Sequence, residues 1–175
     1  YNGKIYVIGG QGELTCISKD GKLVWTVNHY QKYSAPVPRF GISETVLAVD
    51  NKVIATPGGS KAALVAFNAD NGNVVWETAP LNEGTQYINP LLIEDKGMKV
   101  IVTHNATFIY GVNAADGKLL WKFNFGSVNE DGKGGKNYIN TPLYKDGYLF
   151  AANGYGQTSA KIKIYFDGKE PELVW

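Results

Sequence analysis

A chain of 175 residues, 44% of them hydrophobic, is long enough to bury a core and too apolar to be a disordered polymer. Its 17 basic and 16 acidic residues give a formal net charge of +1, so there is no basic excess to suit a nucleic acid or an anionic membrane. No apolar run is long enough to span a bilayer, and the lone Cys16 excludes an internal disulfide.

In chain order, residues 4–8 read as a strand behind a turn at 1–3, and residues 14–18 and 22–27 read as a hairpin about Asp20-Gly21 that carries Trp25. Residues 42–49 and 52–56 pair about Asp50-Asn51, and are followed by 64–68 and 74–78 about Asn71-Gly72, with Trp76. The third group is 88–93 with 98–103, then 107–113 with 118–123 about Asp116-Gly117, with Trp121. The fourth is 139–144 with 148–152, then 161–166 with 173–175 about Asp167-Gly168, with Trp175. Asn-Gly and Asp-Gly supply the positive φ that a two-residue hairpin turn needs. No stretch carries the apolar period of a helix.

The four tryptophans lie 51, 45 and 54 residues apart. Each closes a hairpin, and each hairpin follows a second strand pair. One unit is therefore four antiparallel strands in about 45 to 50 residues, the length of a propeller blade. The fold class is all-β, a propeller of four-stranded blades: a partial first blade at 1–30, then 41–79, 87–125 and 138–175. The first unit lacks its inner strand and the last stops at its Trp, so both ends read as cuts within blades of a longer protein. The fourth hairpin is atypical, because Pro171 marks an insertion between its turn and its Trp.

The hairpins Val65-Ala-Phe-Asn-Ala-Asp-Asn-Gly-Asn-Val-Val-Trp76 and Tyr110-Gly-Val-Asn-Ala-Ala-Asp-Gly-Lys-Leu-Leu-Trp121 resemble the tryptophan-ended repeat of the PQQ-like (quinoprotein alcohol dehydrogenase-like) propellers. Residues 41–59 are similar to the inner strand pair of secreted bacterial members. The resemblance covers essentially the whole chain. It implies seven or eight blades, a Trp wedged between neighbouring blades, and a periplasmic, outer-membrane-attached or secreted location. It also brings two functional expectations: a non-catalytic binding scaffold, or an enzyme using PQQ and calcium. A sensor domain of a larger envelope protein is a third. The dehydrogenases often carry adjacent cysteines beside the cofactor, which this sequence lacks, so no cofactor is expected in this segment.

With strands labelled A to D from the inside outward, the A–B and C–D turns share one face, and the longer B–C and D–A connections share the other. Binding residues concentrate on long loops held by a rigid scaffold. The candidates on this loop face are Tyr33, Phe40, Tyr87, Asn89, His104, Asn105, Tyr138, Asn140 and Tyr155. Tyrosines at a rim suit a protein or carbohydrate ligand, and equally suit packing between blades. Asn89 and Asn140 begin matching A strands beside Pro90 and Pro142. His104-Asn105 ends a B strand. Three motifs carry less. Cys16 holds the slot of Ala66 and Gly111 and reads as a small buried residue. Residues 129–135 are oxygen-rich but lack EF-hand spacing. Residues 57–61 lack the spacing and the helix of a phosphate loop. No catalytic residue or metal ligand is assigned, no nucleic-acid partner is expected, and the remaining blades of the same propeller are the expected structural partners.

Overall fold

The computed structural model describes residues 1–95, 97–129, 137–155 and 157–175. In chain order its elements are β1 (Lys4–Ile8), β2 (Glu13–Ser18) and β3 (Leu23–Asn28), then the one-turn helix α1 (His29–Tyr33). Next come β4 (Leu47–Val49), β5 (Lys52–Ala55), β6 (Gly58–Gly59), β7 (Val65–Asn68), β8 (Val74–Glu77) and β9 (Glu83–Gly84). The rest are β10 (Leu91–Asp95), β11 (Met98–His104), β12 (Phe108–Asn113), β13 (Leu119–Asn124), a 3-10 turn at Phe125–Val128, β14 (Leu143–Lys145), β15 (Tyr148–Ala152), β16 (Ser159–Lys163) and β17 (Glu172–Leu173). They form one three-stranded sheet, β1-β2-β3, and three four-stranded sheets, β4-β5-β7-β8, β10-β11-β12-β13 and β14-β15-β16-β17, all antiparallel between consecutive strands. The chain divides into two compact units, Tyr1–Thr85 with the first two sheets and Gln86–Trp175 with the last two.

The inner strands are shorter than the sequence pattern predicts. β10 starts at Leu91, directly after Pro90, and β14 at Leu143, directly after Pro142. A proline has no N–H to give to a ladder, so pairing begins one residue later. The outer turns also differ from expectation. Only the glycine has positive φ: 82° at Gly21, 73° at Gly72 and 77° at Gly117. Asn68 N donates to Asn73 O and Asn113 N to Lys118 O, so these connections are four residues long rather than two. Asn68 Oδ1 accepts from the N–H groups of Asp70 and Asn71, which closes the longer turn locally. The primed two-residue turn sits instead in the inner hairpins, at Asp50-Asn51 (φ 47° and 57°) and Asp146-Gly147 (49° and 85°).

Two short helical turns interrupt the all-strand reading. Asn28 Oδ1 accepts from Gln31 N at 2.9 Å, and Asn124 Oδ1 from Ser127 N at 3.2 Å. Each is an N-cap, and each turn is too short to show a period.

In the first unit the core joins Leu14, Cys16, Trp25, Val53, Val65 and Phe67. In the second it joins Ile93, Val102, Ile109, Trp121, Leu149 and Ile162. Three of the four tryptophans sit across their hairpins from a small residue, Trp25 from Cys16, Trp76 from Ala66 and Trp121 from Gly111, with a bulge immediately after. A Cβ at Gly111 would lie 2.4 Å from the Trp121 ring, so the indole needs that vacancy. Trp25 reaches into the second sheet, where Nε1 donates to Ala69 O at 3.0 Å and the ring covers Gly72.

Candidate functional site

The loop face is built by connections that fold over one another. In the first unit, Ile42 N donates to Gly10 O and His29 N to Gly12 O, both at 3.0 Å, which ties the D–A connection to the first B–C loop. β6 pairs with β9, joining the second B–C loop to the segment that leaves the second sheet. Lys61 Nζ donates to Ser34 Oγ at 2.8 Å across the same layer.

This overlap buries aromatic residues that a sequence reading places at a rim. Tyr33 is 4% exposed and its hydroxyl donates to Glu77; burial first, then the Glu77 carboxylate, holds its phenol well above the ordinary value. His29 is fully buried, and burial lowers its imidazole to about 4. Phe40 is exposed, with the Arg39 guanidinium 5.3 Å over its ring.

Glu44 is the residue the sequence reading missed. It is buried in the extended run before β4, where Thr56 Oγ1 and Thr56 N both donate to its carboxylate. Thr56 Oγ1 lies 3.1 Å from Thr85 Oγ1, so the group is held between the second B–C loop and the segment that leaves the sheet. Burial raises its carboxyl to about 7. The available signal was an acid within the predicted strand 42–49, between Ile42 and Val46.

In the second unit the starts of the two inner strands are sewn together. Tyr87 N donates to Tyr138 O at 3.0 Å, Tyr138 N to Gln86 Oε1 at 3.0 Å, and Asn89 N to Thr141 Oγ1 at 3.1 Å. Beneath this seam His104 packs on Tyr138, ring centroids 3.9 Å apart, and edge-on to Phe125 at 5.2 Å. His104 Nδ1 contacts Asn105 O; a carbonyl only accepts, so Nδ1 carries the proton. Burial lowers this imidazole to about 4. Asn105 Oδ1 accepts from Thr107 N and Phe108 N, which closes the B–C turn.

His104, Asn105 and Tyr138 are 3%, 3% and 1% exposed. With Tyr33, they are packing and turn-closing groups in this structure rather than an open rim. The physical reason is that the B–C and D–A connections stack, so their inward aromatic residues become floor. Of the remaining candidates on this face of the second unit, Tyr87 and Asn89 are half-buried, and Asn140 and Tyr155 are exposed. Asn140 Nδ2 reaches Ala152 O at 3.4 Å, and Tyr155 holds φ +60° on its loop. Residues 130–135 of the oxygen-rich stretch lie outside the described residues. Cys16 is buried, as its small-residue slot implies.

A quinone site with calcium needs converging carboxylates. Among the described residues no three of His, Cys, Asp or Glu come together in a way that could hold a metal, so the residues described do not fit that group.

The family profile described as outer membrane protein assembly factor BamB matches residues 1–173. A tetrathionate hydrolase of Acidianus ambivalens is 28% identical over 163 residues, covering 83% of this chain and 30% of that protein. BamB from Moraxella catarrhalis superposes with a TM-score of 0.61 at 16% identity, over 98% of this chain and 46% of that one. Quinohemoprotein alcohol dehydrogenase ADHIIG from Pseudomonas putida HK5 does so with 0.67 at 15% identity, over 99% and 32%. The chain spans about a third of the length of the curated relatives it matches. At such identities the solved structures speak for the fold, and the fold is the one the tryptophan-ended hairpins imply. With the family profile matching almost every residue, the chain belongs to the PQQ-like β-propeller family.

Proposed function

We propose that this chain is part of a non-catalytic propeller scaffold of the bacterial envelope or secreted space, and that it binds a protein or carbohydrate partner on the loop face of its second unit. The observation that carries this reading is the layered seam. Tyr87, Asn89 and Asn140 belong to the stitched strand starts over packed His104, Phe125 and Tyr138, and Tyr155 is exposed on the B–C loop of the fourth sheet. A backbone fixed by the seam leaves little main-chain ordering to be lost on binding, and Tyr and Asn supply ring area and both hydrogen-bond polarities. The exposed apolar face of the fourth sheet, Leu143, Phe150 and Trp175, is covered in this reading by another blade of the same propeller.

The test is retention of the natural partner, or of a glycan panel, on immobilised full-length protein. Replacing Asn140 and Tyr155 together by alanine is expected to lower retention at least tenfold while the melting temperature stays unchanged. Unchanged retention overturns the assignment of this face.

A further inference from the structure

The short-turn face of the second unit holds a concavity that the loop-face reading does not use. It has a volume of about 790 Å³ and lies where the inner hairpins of the third and fourth sheets meet the atypical outer hairpin of the fourth. Its wall is aromatic. Tyr144 and Phe166 meet edge-on, ring centroids 6.4 Å apart, and Tyr165 extends the wall. The Tyr144 hydroxyl accepts from Gly147 N at 3.2 Å, and Ile164 N donates to Gly147 O at 2.9 Å. The first bond braces the inner turn against its own strand, and the second fastens the outer hairpin to that turn.

Its lining is charged with one dominant sign. Glu94 and Asp95 at the end of β10, Asp146 in the inner turn and Asp167 in the outer turn all border it. Lys163 is the one cation among the described residues that line it, and its Nζ sits 5.3 Å over the Tyr165 ring. The Glu94 carboxylate has Lys99 no nearer than 3.9 Å, at an exposed edge. After burial, Asp95 and Asp146 both push the Tyr144 phenol up, which marks their field across the aromatic wall.

We propose that this hollow is a docking site for an extended peptide segment carrying arginine or lysine. A cationic side chain would lie against the Tyr144 and Phe166 rings while its charge is met by Asp95 and Asp146. The choice of occupant follows from charge complementarity together with the rings. A guanidinium gains from both, through stacking on a ring and pairing with a carboxylate. An acidic segment is repelled by the carboxylates, and a neutral one lacks the ion pair. The site lies on the opposite side of the sheets from the proposed loop-face site, and neither proposal depends on the other.

The experiment is a fluorescence-anisotropy titration of full-length protein with a labelled Gly-Arg-Gly-Arg-Gly-Arg peptide, with the same peptide carrying Glu for Arg as control. The expected result is saturable binding of the Arg peptide alone. Asp95→Asn with Asp146→Asn should weaken it at least tenfold, and Phe166→Ala at least threefold. Asp20→Asn, at an exposed acid of the first sheet, should leave it unchanged. An equal loss in Asp20→Asn would mean general charge attraction and would overturn the site. Absence of saturation, an unaltered affinity in Phe166→Ala, or displacement of the peptide by millimolar calcium would overturn it as well. Unchanged circular dichroism and melting of each variant separate loss of binding from loss of fold.

Discussion

Two tryptophans in equivalent places meet different surroundings. Trp25 Nε1 donates to Ala69 O, a carbonyl that also accepts from the Tyr6 hydroxyl at 2.9 Å. Trp121 Nε1 is buried, with no acceptor among the described residues. Both indoles are packed, so replacing the fused ring by a phenyl costs volume at each. Only Trp25 also gives up a hydrogen bond, whose net worth is about 1 kcal/mol. Trp25→Phe is therefore expected to cost about 1 kcal/mol more than Trp121→Phe, read from urea unfolding midpoints. Equal costs would show that the bond to Ala69 contributes nothing net. The slots opposite these rings were legible in the sequence, because Cys16, Ala66 and Gly111 align once the Asp-Gly and Asn-Gly turns are superposed. The acceptor was not, since it belongs to the next repeat and is a main-chain atom with no sequence signature.

At the scale of elements, the strands and their pairing follow from the turn residues, and the misses have definite causes. Pro90 and Pro142 shorten the inner strands by withholding a donor. Asn28 and Asn124 start helical turns too short to show a period. The outer turns are longer than two residues because the glycine alone takes the left-handed conformation. Stacking of the connections could not be read from any single loop. It decides that Tyr33, His104 and Tyr138 become floor, and it rests in part on the β6–β9 pair. A Cβ at Gly58, where φ is +67°, would lie 2.9 Å from both Glu83 O and Thr85 N. Gly58→Ala therefore brings backbone strain and a main-chain clash together. The expected outcome is faster amide exchange at residues 83–85 by mass spectrometry, with the strands of the first sheet unaffected. Unchanged exchange would mean that the pair does not hold the connection.

At the scale of the whole molecule, the two units should respond differently to acid. His29 and His104 ionise near 4 when folded, against an ordinary value of 6.5, so the unfolded chain binds more protons between those limits. Their contribution is complete above 6.5 and falls as the pH drops toward 4. Glu44 ionises near 7 when folded, against 4.5, so there the folded state binds more protons. Its contribution is present below 4.5 and is lost as the pH rises through 7. His29 and Glu44 share the first unit and oppose one another; His104 stands in the second. Asp20, Asp70 and Glu172 lie below their ordinary values, chiefly through hydrogen bonds from Ser18, Lys4 and Lys169, so their losses come at still lower pH. Between pH 6.5 and 5, exchange corrected for its intrinsic rate should rise in the second unit and stay nearly level in the first. Glu44→Gln should make the first unit follow the second. Parallel behaviour of the two units in the wild-type protein would contradict this assignment.

The indole of Trp25 rests on the turn of the following sheet, so the segment that is stabilised as a piece is not the segment that is hydrogen-bonded as a sheet. A gene duplication cut at the sheet boundary would copy this ring without its acceptor. A cut inside the sheet, between inner and outer hairpins, would do the same, because Ala69 lies in the outer turn of the second sheet, after β7. At this junction the contact travels whole only with a copy that includes both outer hairpins, so the smallest piece that carries its own neighbour contact is longer than one blade.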